Sequence, residues 1–347
     1  MFPVCTTGNS GIRHQLRYVN LTKALTRIFC VHTHKLRLFR VLTSVHLRVA
    51  LLESYRSTGI EFSEQGLNFV AFSLGYSTYA LKMLDPFDAV RLISDVGYDA
   101  LEICSAEGWA SSPTVFINSQ QSDLAKLSQD LGFPSPIMFG LIDVCVPHSD
   151  RMQMLELTKK KFEMAHRLHY DDSPVLITTT PGHSAPPWES GKNQIRDAFL
   201  SLADMAAESD IVIAIEAHAG TDFETPEKAR WMMEQTNHPN LKLDLDISHF
   251  VVEGSEMVHS VDLTANHSAM VHIKDGEKVN GEVQFCLPGD GRIDIPEFMR
   301  ALKRNGLEHL PVYAEVSVQQ SRQTHYSPHR AAEFCFNALD SARKAIS

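Results

Sequence analysis

Ile211-Val212-Ile213-Ala214-Ile215-Glu216-Ala217-His218, followed by Leu241-Lys242-Leu243-Asp244-Leu245-Asp246-Ile247-Ser248-His249, decides how this chain is read. Each stretch is a short run with apolar residues that closes on polar ones, and a helical pattern from Thr225 to Gln235 lies between them. Two such strands joined by a helix make a parallel crossover unit. A carboxylate placed directly after an apolar run is costly in a core unless a cation or strong hydrogen bonds compensate it. The residues that define these strands therefore also mark a site at their C-terminal ends.

Outward from this pair, the same signature recurs at Phe72 to Ser77, Asp99 to Cys104, Pro136 to Leu141, Val175 to Thr180, Met270 to Lys274 and Val312 to Ser317, giving eight strands. Helical patterns separate them, among them Pro86 to Val96, Arg151 to Leu168, Gln194 to Ser209, Ile295 to Asn305 and His329 to Lys344. Pro86, Pro226 and Pro296 sit near helix starts, where a missing N–H costs nothing, and Gly97 and Gly306 follow helix ends. Residues 70–347 thus have the length and alternation of a (β/α)8 TIM barrel. An open doubly wound sheet would carry a glycine-rich phosphate turn after its first strand, and Gly75-Tyr76-Ser77-Thr78 is not one.

Charge sets the other boundary. Residues 1–69 carry nine Lys or Arg against three acids, whereas the rest of the chain carries 23 basic and 39 acidic side chains. An acidic body is a poor match for nucleic acid. The first 52 residues hold no acid and are rich in Arg, Ser and Thr, the composition of an organelle transit peptide; without a sustained amphipathic repeat, a disordered tail or a misassigned start is the preferred expectation. This basic extension is set apart from the barrel. Cys5, Cys30, Cys104, Cys145, Cys286 and Cys335 form no Cys-x-x-Cys pair, which argues against a zinc knuckle or disulfide framework and for a reducing, cytoplasmic setting. Charged or polar residues break every apolar run before the roughly 18 residues a membrane span needs. The expectation is a soluble protein with no membrane partner, for which self-association into a homo-oligomer would be ordinary.

In such a barrel the strands deliver their chemistry at the C-terminal face. Four strand ends carry it: Glu216 with His218, Asp246 with His249, His272 with Lys274, and Glu315. Three carboxylates and one imidazole, Glu216, Asp246, His272 and Glu315, offer mixed oxygen and nitrogen ligands for one divalent cation, Mn²⁺ first, with Mg²⁺, Co²⁺ or Zn²⁺ also suited. Asp244 shares the strand face of Asp246, so spacing alone leaves the ligand choice between them open; the Asp-x-x-His pattern favours Asp246. His218 and Lys274 are expected to line or support the pocket. Glu102 and His183 are weaker candidates of the same kind.

Ile-Glu216-Ala-His, Asp246-Ile-Ser-His249, Val-His272-Ile-Lys-Asp275, Tyr-Ala-Glu315 and the stretch from Pro288 to Phe298 together resemble the xylose isomerase-like TIM-barrel superfamily, in particular its sugar-phosphate isomerase/epimerase members. The resemblance covers nearly the whole body from Phe72 onward. It implies that Glu216, Asp246, His272 and Glu315 coordinate the metal and that Glu216 and Glu315 also act as the acid/base pair. It further implies that His249 contacts a substrate oxygen, and Asp222 falls where epimerase relatives place an acidic substrate contact. A carboxylate at the start of the helix after Thr225 reads Asp222 equally well.

The implied reaction is isomerisation or epimerisation of a sugar or related polyhydroxy carbonyl compound through an enediolate. A keto-inositol or sugar-acid dehydratase starts from the same enolate and is the alternative. An apurinic endonuclease of the endonuclease IV family needs further histidines on the second and third strands and an Asp-x-His after the seventh. Those strands have none, and Gln284-Phe-Cys-Leu replaces the Asp-x-His. A non-catalytic barrel is disfavoured by the presence of all four ligand positions.

Overall fold

A computed structural model describes residues 72–182 and 184–346. The basic extension expected at residues 1–69 and the candidate His183 lie outside the described residues.

The eight expected strands are present as β1 (Leu74–Ser77), β2 (Ala100–Cys104), β3 (Ile137–Phe139), β4 (Val175–Thr179), β5 (Ile211–Glu216), β6 (Leu241–Asp246), β7 (Ser268–Ile273) and β10 (Val312–Ala314). They close in the order β1-β10-β7-β6-β5-β4-β3-β2, every pair parallel. The helices that follow them are α1 (Pro86–Val96), α2 (Asn118–Asp130), α3 (Arg151–Leu168), α4 (Trp188–Glu208), α5 (Pro226–Thr236), the short pair α6 (Ile247–Val252) and α7 (Met257–Thr264), α8 (Ile295–Arg304), α9 (Val318–Ser321) and α10 (Pro328–Ala345). This is the (β/α)8 barrel. None of the described helices is long and apolar enough to cross a membrane.

Local chemistry explains where elements start and stop. Asp85 accepts from Phe87 N at the head of α1, Pro86 occupies its first turn, and Gly97 closes it at φ 106°, a left-handed conformation only glycine adopts cheaply. Several strands end earlier than their apolar runs suggest. β3 stops at Phe139, since Leu141 takes φ 47° and leaves the extended region. β5 stops at Glu216, where His218 N turns to donate to Phe223 O. β10 stops at Ala314, and Ser317 instead caps α9 by accepting from Gln319 N. Helix α4 begins at Trp188, six residues before the expected Gln194, with Pro187 at its N-cap and Gly191 tolerated beneath the side chain of Pro186.

An antiparallel hairpin, β8 (Asp275–Val279) and β9 (Glu282–Cys286), was not among the expected elements. Its turn is Asn280-Gly281, both at positive φ (53° and 87°), the dipeptide that two-residue hairpin turns select. One buried carboxylate ties it down. Asp275 accepts from the backbone N–H groups of Arg292 (2.9 Å), Gly291 (3.2 Å), Ile293 (3.2 Å) and Gly289 (3.4 Å), so the Pro288–Ile293 loop wraps around it. Gln319 and Gln320 of α9 clamp the far strand: Gln319 accepts from Phe285 N and donates to Val283 O, and Gln320 donates to Phe285 O.

Replacing Asp275 with Ala removes the acceptor of five backbone donors at once, Gly276 N–H included. The variant is expected to lose about 2–4 kcal/mol of stability, read as a lower urea midpoint.

Candidate metal centre

Side chains alternate along a strand, so the inward residues stack in tiers down the barrel. The lowest described tier is apolar: Ala100, Leu176, Ala214, Met270 and Tyr313 pack together. Toward the C-terminal face the polar inward residues form two groups by their contacts, a middle tier of Glu102, Thr178, Asp244 and His272 and an upper tier of Glu216, Asp246, Lys274 and Glu315. The parity that left Asp244 and Asp246 equivalent in the sequence is resolved by height. A register shift at Leu243/Asp244 in the β6–β7 pairing then sets Asp244 against Met270 and Asp246 against His272.

In the middle tier His272 bridges two carboxylates. Its Nδ1 lies 2.8 Å from Asp244 Oδ2 and its Nε2 3.1 Å from Glu102 Oε2, while Thr178 Oγ1 donates to the other Glu102 oxygen at 3.1 Å. Burial works against charge on His272, but Asp244 and Glu102 outweigh it and hold the imidazole pKa well above its ordinary value. Asp244, pushed up by burial, reaches about 7.

In the upper tier the ammonium of Lys274 lies against three carboxylates. It is paired with Asp246 Oδ2, 2.9 Å from Glu315 Oε1 and 3.6 Å from Glu216 Oε1. Burial raises the pKa of Glu216 and Asp246, yet Lys274 and then His249 overcome it and hold both acids below the usual range. Glu315 goes the other way, raised by burial and then by Glu216. The remaining Asp246 oxygen accepts from Ser248 N (2.9 Å), which fixes the carboxylate at the head of α6.

Among the described residues, two groups of ligand atoms gather closely enough to hold a cation: Glu216, Asp246, His272 and Glu315; and Glu216, His218 and His249. The imidazole tautomers choose between them. Ala219 N–H donates to His249 Nδ1 (3.1 Å), so that nitrogen keeps its lone pair and the neutral ring carries its proton on Nε2. A protonated Nε2 is no ligand, and the second group fails. In the first group His272 has Glu102 ready to accept from Nε2, and its Nδ1, 2.8 Å from Asp244 Oδ2 and 3.8 Å from Glu315 Oε2, becomes a ligand once it gives up its proton, with no backbone N–H donor among the described residues holding the other tautomer. An imidazole whose second nitrogen is held by a carboxylate is the usual form of a metal-ligating histidine. Glu216 Oε1 and Glu315 Oε2 are buried without a hydrogen bond, which a divalent cation would satisfy. The four side chains fit the ion.

Among the expected substrate contacts, His249 and Lys274 sit in this cluster: His249 Nε2 is 3.1 Å from Glu216 Oε1 and 3.6 Å from Asp246 Oδ2. His218 stands behind, its ring centroid 4.0 Å from that of His249 and its Nδ1 against Ala219 O. Asp222 is not brought in. Its carboxylate accepts from Trp188 N at the start of α4, while Thr225 caps the helix that Asp222 was expected to head. Glu102, a weaker candidate in the sequence, takes a place against His272. Phe139, 6.4 Å from His272, and Phe285, 5.3 Å from His249, carry no signal in the sequence, because only the folded chain brings them there.

A family model described as xylose isomerase-like TIM barrel matches residues 90–334. An inosose dehydratase of Geobacillus thermodenitrificans (strain NG80-2) is 32% identical over 127 residues, which span 32% of this chain and 43% of that protein. A ketose 3-epimerase of Arthrobacter globiformis is 27% identical over 146 residues, 41% of this chain and 48% of that one. The chain thus spans about half the length of these curated relatives. Among solved structures, the IOLI protein with a binding zinc atom aligns with a TM-score of 0.66 at 20% identity, over 79% of this chain and 99% of that one, and so shares the fold.

Beside the cluster, Lys161 of α3 reaches the end of β3 and donates to Gly140 O and, at 3.2 Å, to Leu141 O. Burial lowers its pKa to about 8, against roughly 10.4 for an unfolded lysine. Between those values the unfolded chain binds more protons, so this group's contribution to stability rises with pH and is lost as pH falls through the folded value. The stability difference between wild type and Lys161→Met is therefore expected to shift in favour of wild type by roughly 2 kcal/mol from pH 8 to pH 10 in denaturant titrations.

Proposed function

The chain belongs to the xylose isomerase-like TIM-barrel family, and from that premise we propose that it is a divalent-metal-dependent enzyme that removes a proton next to the carbonyl of a small polyhydroxy compound. The observation that carries this reading is the convergence of Glu216, Asp246, His272 and Glu315 at one end of the barrel, all buried. A divalent cation held by these four side chains supplies positive charge where negative charge develops on the carbonyl oxygen during enolisation.

The chain's own groups account for the proton movements. Glu216, held below the usual carboxylate range by Lys274 and then His249 before any metal binds, is the base that takes the proton alpha to the carbonyl. Glu315, pushed toward its protonated form by burial, is the partner that can return one. Glu315 in its protonated form can give its proton to a hydroxyl that leaves from the neighbouring carbon, and His249, which presents Nε2–H toward the same oxygens, can steady that hydroxyl by donating a hydrogen bond to it. In that outcome a C–H bond and a C–O bond break, a C=C bond forms, and water departs. Dehydration of a keto-inositol-like ring is accordingly the outcome we favour, supported by the placement of His249 and by the similarity to inosose dehydratases.

Epimerisation or isomerisation is the second reading. The pair Glu216 and Glu315, both against the Lys274 ammonium, favours it, as does the similarity to a ketose 3-epimerase. Product mass separates the two, because only dehydration removes water.

With keto-inositols and ketoses as substrates in D₂O, Mn²⁺-loaded wild type is expected to wash solvent deuterium into the alpha position. Glu216→Gln should lower that rate at least about 100-fold with an unchanged circular dichroism spectrum. Undiminished exchange in this variant would refute its role as the base. Chelation should abolish turnover and added Mn²⁺ restore it, and His272→Ala should lose the bound metal; wild-type protein that binds no metal and turns over without it would overturn the proposal.

A further inference from the structure

Resting on the metal reading above, we infer that Lys274 is a tethered competitor for the metal: its ammonium takes up the carboxylate oxygens in the metal-free protein, and metal entry drives it off them. Three of the four proposed ligands are the ammonium's own partners, Asp246 through Oδ2, Glu315 through Oε1 and Glu216 through Oε1. These carboxylates are almost wholly buried, at 1%, 4% and 2% exposure. Buried acids so close together need a cation, and in the absence of a metal the chain supplies one itself.

An ammonium held among these carboxylates stands close to any divalent ion bound by their other oxygens, and at such separations in a water-poor site the repulsion between the two charges is strong. The ammonium rides on four methylenes and has somewhere to go. Lys274 is the residue immediately before β8, and the ring of Phe285 on the paired strand β9 already lies 5.9 Å from its Nζ, where an aromatic face can accept a cation. The hairpin that carries Phe285 is held by Gln319 and Gln320 of α9, so this alternative position is built on fixed elements.

Two consequences distinguish a competitor from a residue that merely touches substrate. Removing the charge should tighten metal binding, since no ammonium has to be displaced; it should also weaken the metal-free protein, since three buried carboxylates lose their counter-ion. A substrate contact predicts neither.

The test uses the full chain with Zn²⁺ alone. Calorimetric or chelator-competition titrations of wild type and Lys274→Met are expected to show one bound ion each, with Kd at least ten-fold lower in the variant. The variant should melt below wild type without metal and recover with it. Because Lys274→Met removes a buried charge and can fail to fold, a second readout uses wild type labelled with ¹⁵N-lysine. The Lys274 ammonium resonance, assigned as the one missing from Lys274→Arg, should move when Zn²⁺ is added. A resonance that stays in place while Zn²⁺ binds, or a Kd for Lys274→Met within two-fold of wild type, overturns this inference and leaves the metal reading standing. Wild-type protein that binds no Zn²⁺ overturns both.

Discussion

Charge compensation inside a closed barrel is the constraint on which the upper half of this structure depends. Five carboxylates, Glu102, Glu216, Asp244, Asp246 and Glu315, are buried within the reach of two strand-end tiers. Ionised acids cannot remain there without partners, since desolvation would cost several kcal/mol each or more. The positive side is supplied by His272 in the middle tier and Lys274 in the upper one, with His249 adding a directed N–H. The balance is incomplete. Glu216 Oε1 and Glu315 Oε2 keep unsatisfied lone pairs, and this shortfall is what makes the cluster a site and not a buried salt-bridge network.

The barrel turns that shortfall into geometry. Strands fixed in register by parallel pairing on both sides cannot slip without turning every inward side chain outward. Glu216 is therefore opposite Asp244, and Asp246 opposite His272, by backbone pairing alone. Beneath them the apolar tier of Met270, Tyr313 and their neighbours excludes water from the carboxylates' inner side. Above them, secondary contacts hold what the strands do not: Ser248 fixes Asp246, Ala219 N–H fixes the tautomer of His249, and Asp275 gathers the loop that leads into α8. Each fixes one rotor, and together they leave little freedom in the upper tier.

The barrel and the four strand-end residues that converge at its mouth are readable in the sequence because both follow from short-range rules. Strand-helix alternation and proline and glycine punctuation are local, and an acid that interrupts an apolar strand stands out wherever it points. What the sequence withheld depends on tertiary distance. Nothing near Lys274 shows that its ammonium meets Glu216 and Glu315, which are 58 and 41 residues away on other strands. Asp222 was misplaced for the opposite reason: the nearby Thr225-Pro226 offered a local explanation, whereas its partner, Trp188, is 34 residues upstream. The β8–β9 hairpin is different again. Asn280-Gly281 marks a turn plainly, but the strands it joins are five residues each, too short for the alternation of Val283 and Phe285 to stand out.

The mouth of the barrel is chemically lopsided, and this bears on what it can accept. β5, β6, β7 and the end of β10 bring acids, imidazoles and the ammonium. The β1–β3 side instead brings rings: Tyr79 lies 5.4 Å from Trp109 and 5.7 Å from Phe139, and Phe139 in turn approaches His272. Glu102, the acid that β2 does contribute inside, is committed to His272 and Thr178. A multi-metal phosphodiester site would need ligands from that aromatic side, and among the described residues β2 and β3 supply none beyond Glu102. For the substrate class proposed above, a polyol bearing one carbonyl, this asymmetry offers carboxylates to the oxygens and aromatic rings to the carbon face.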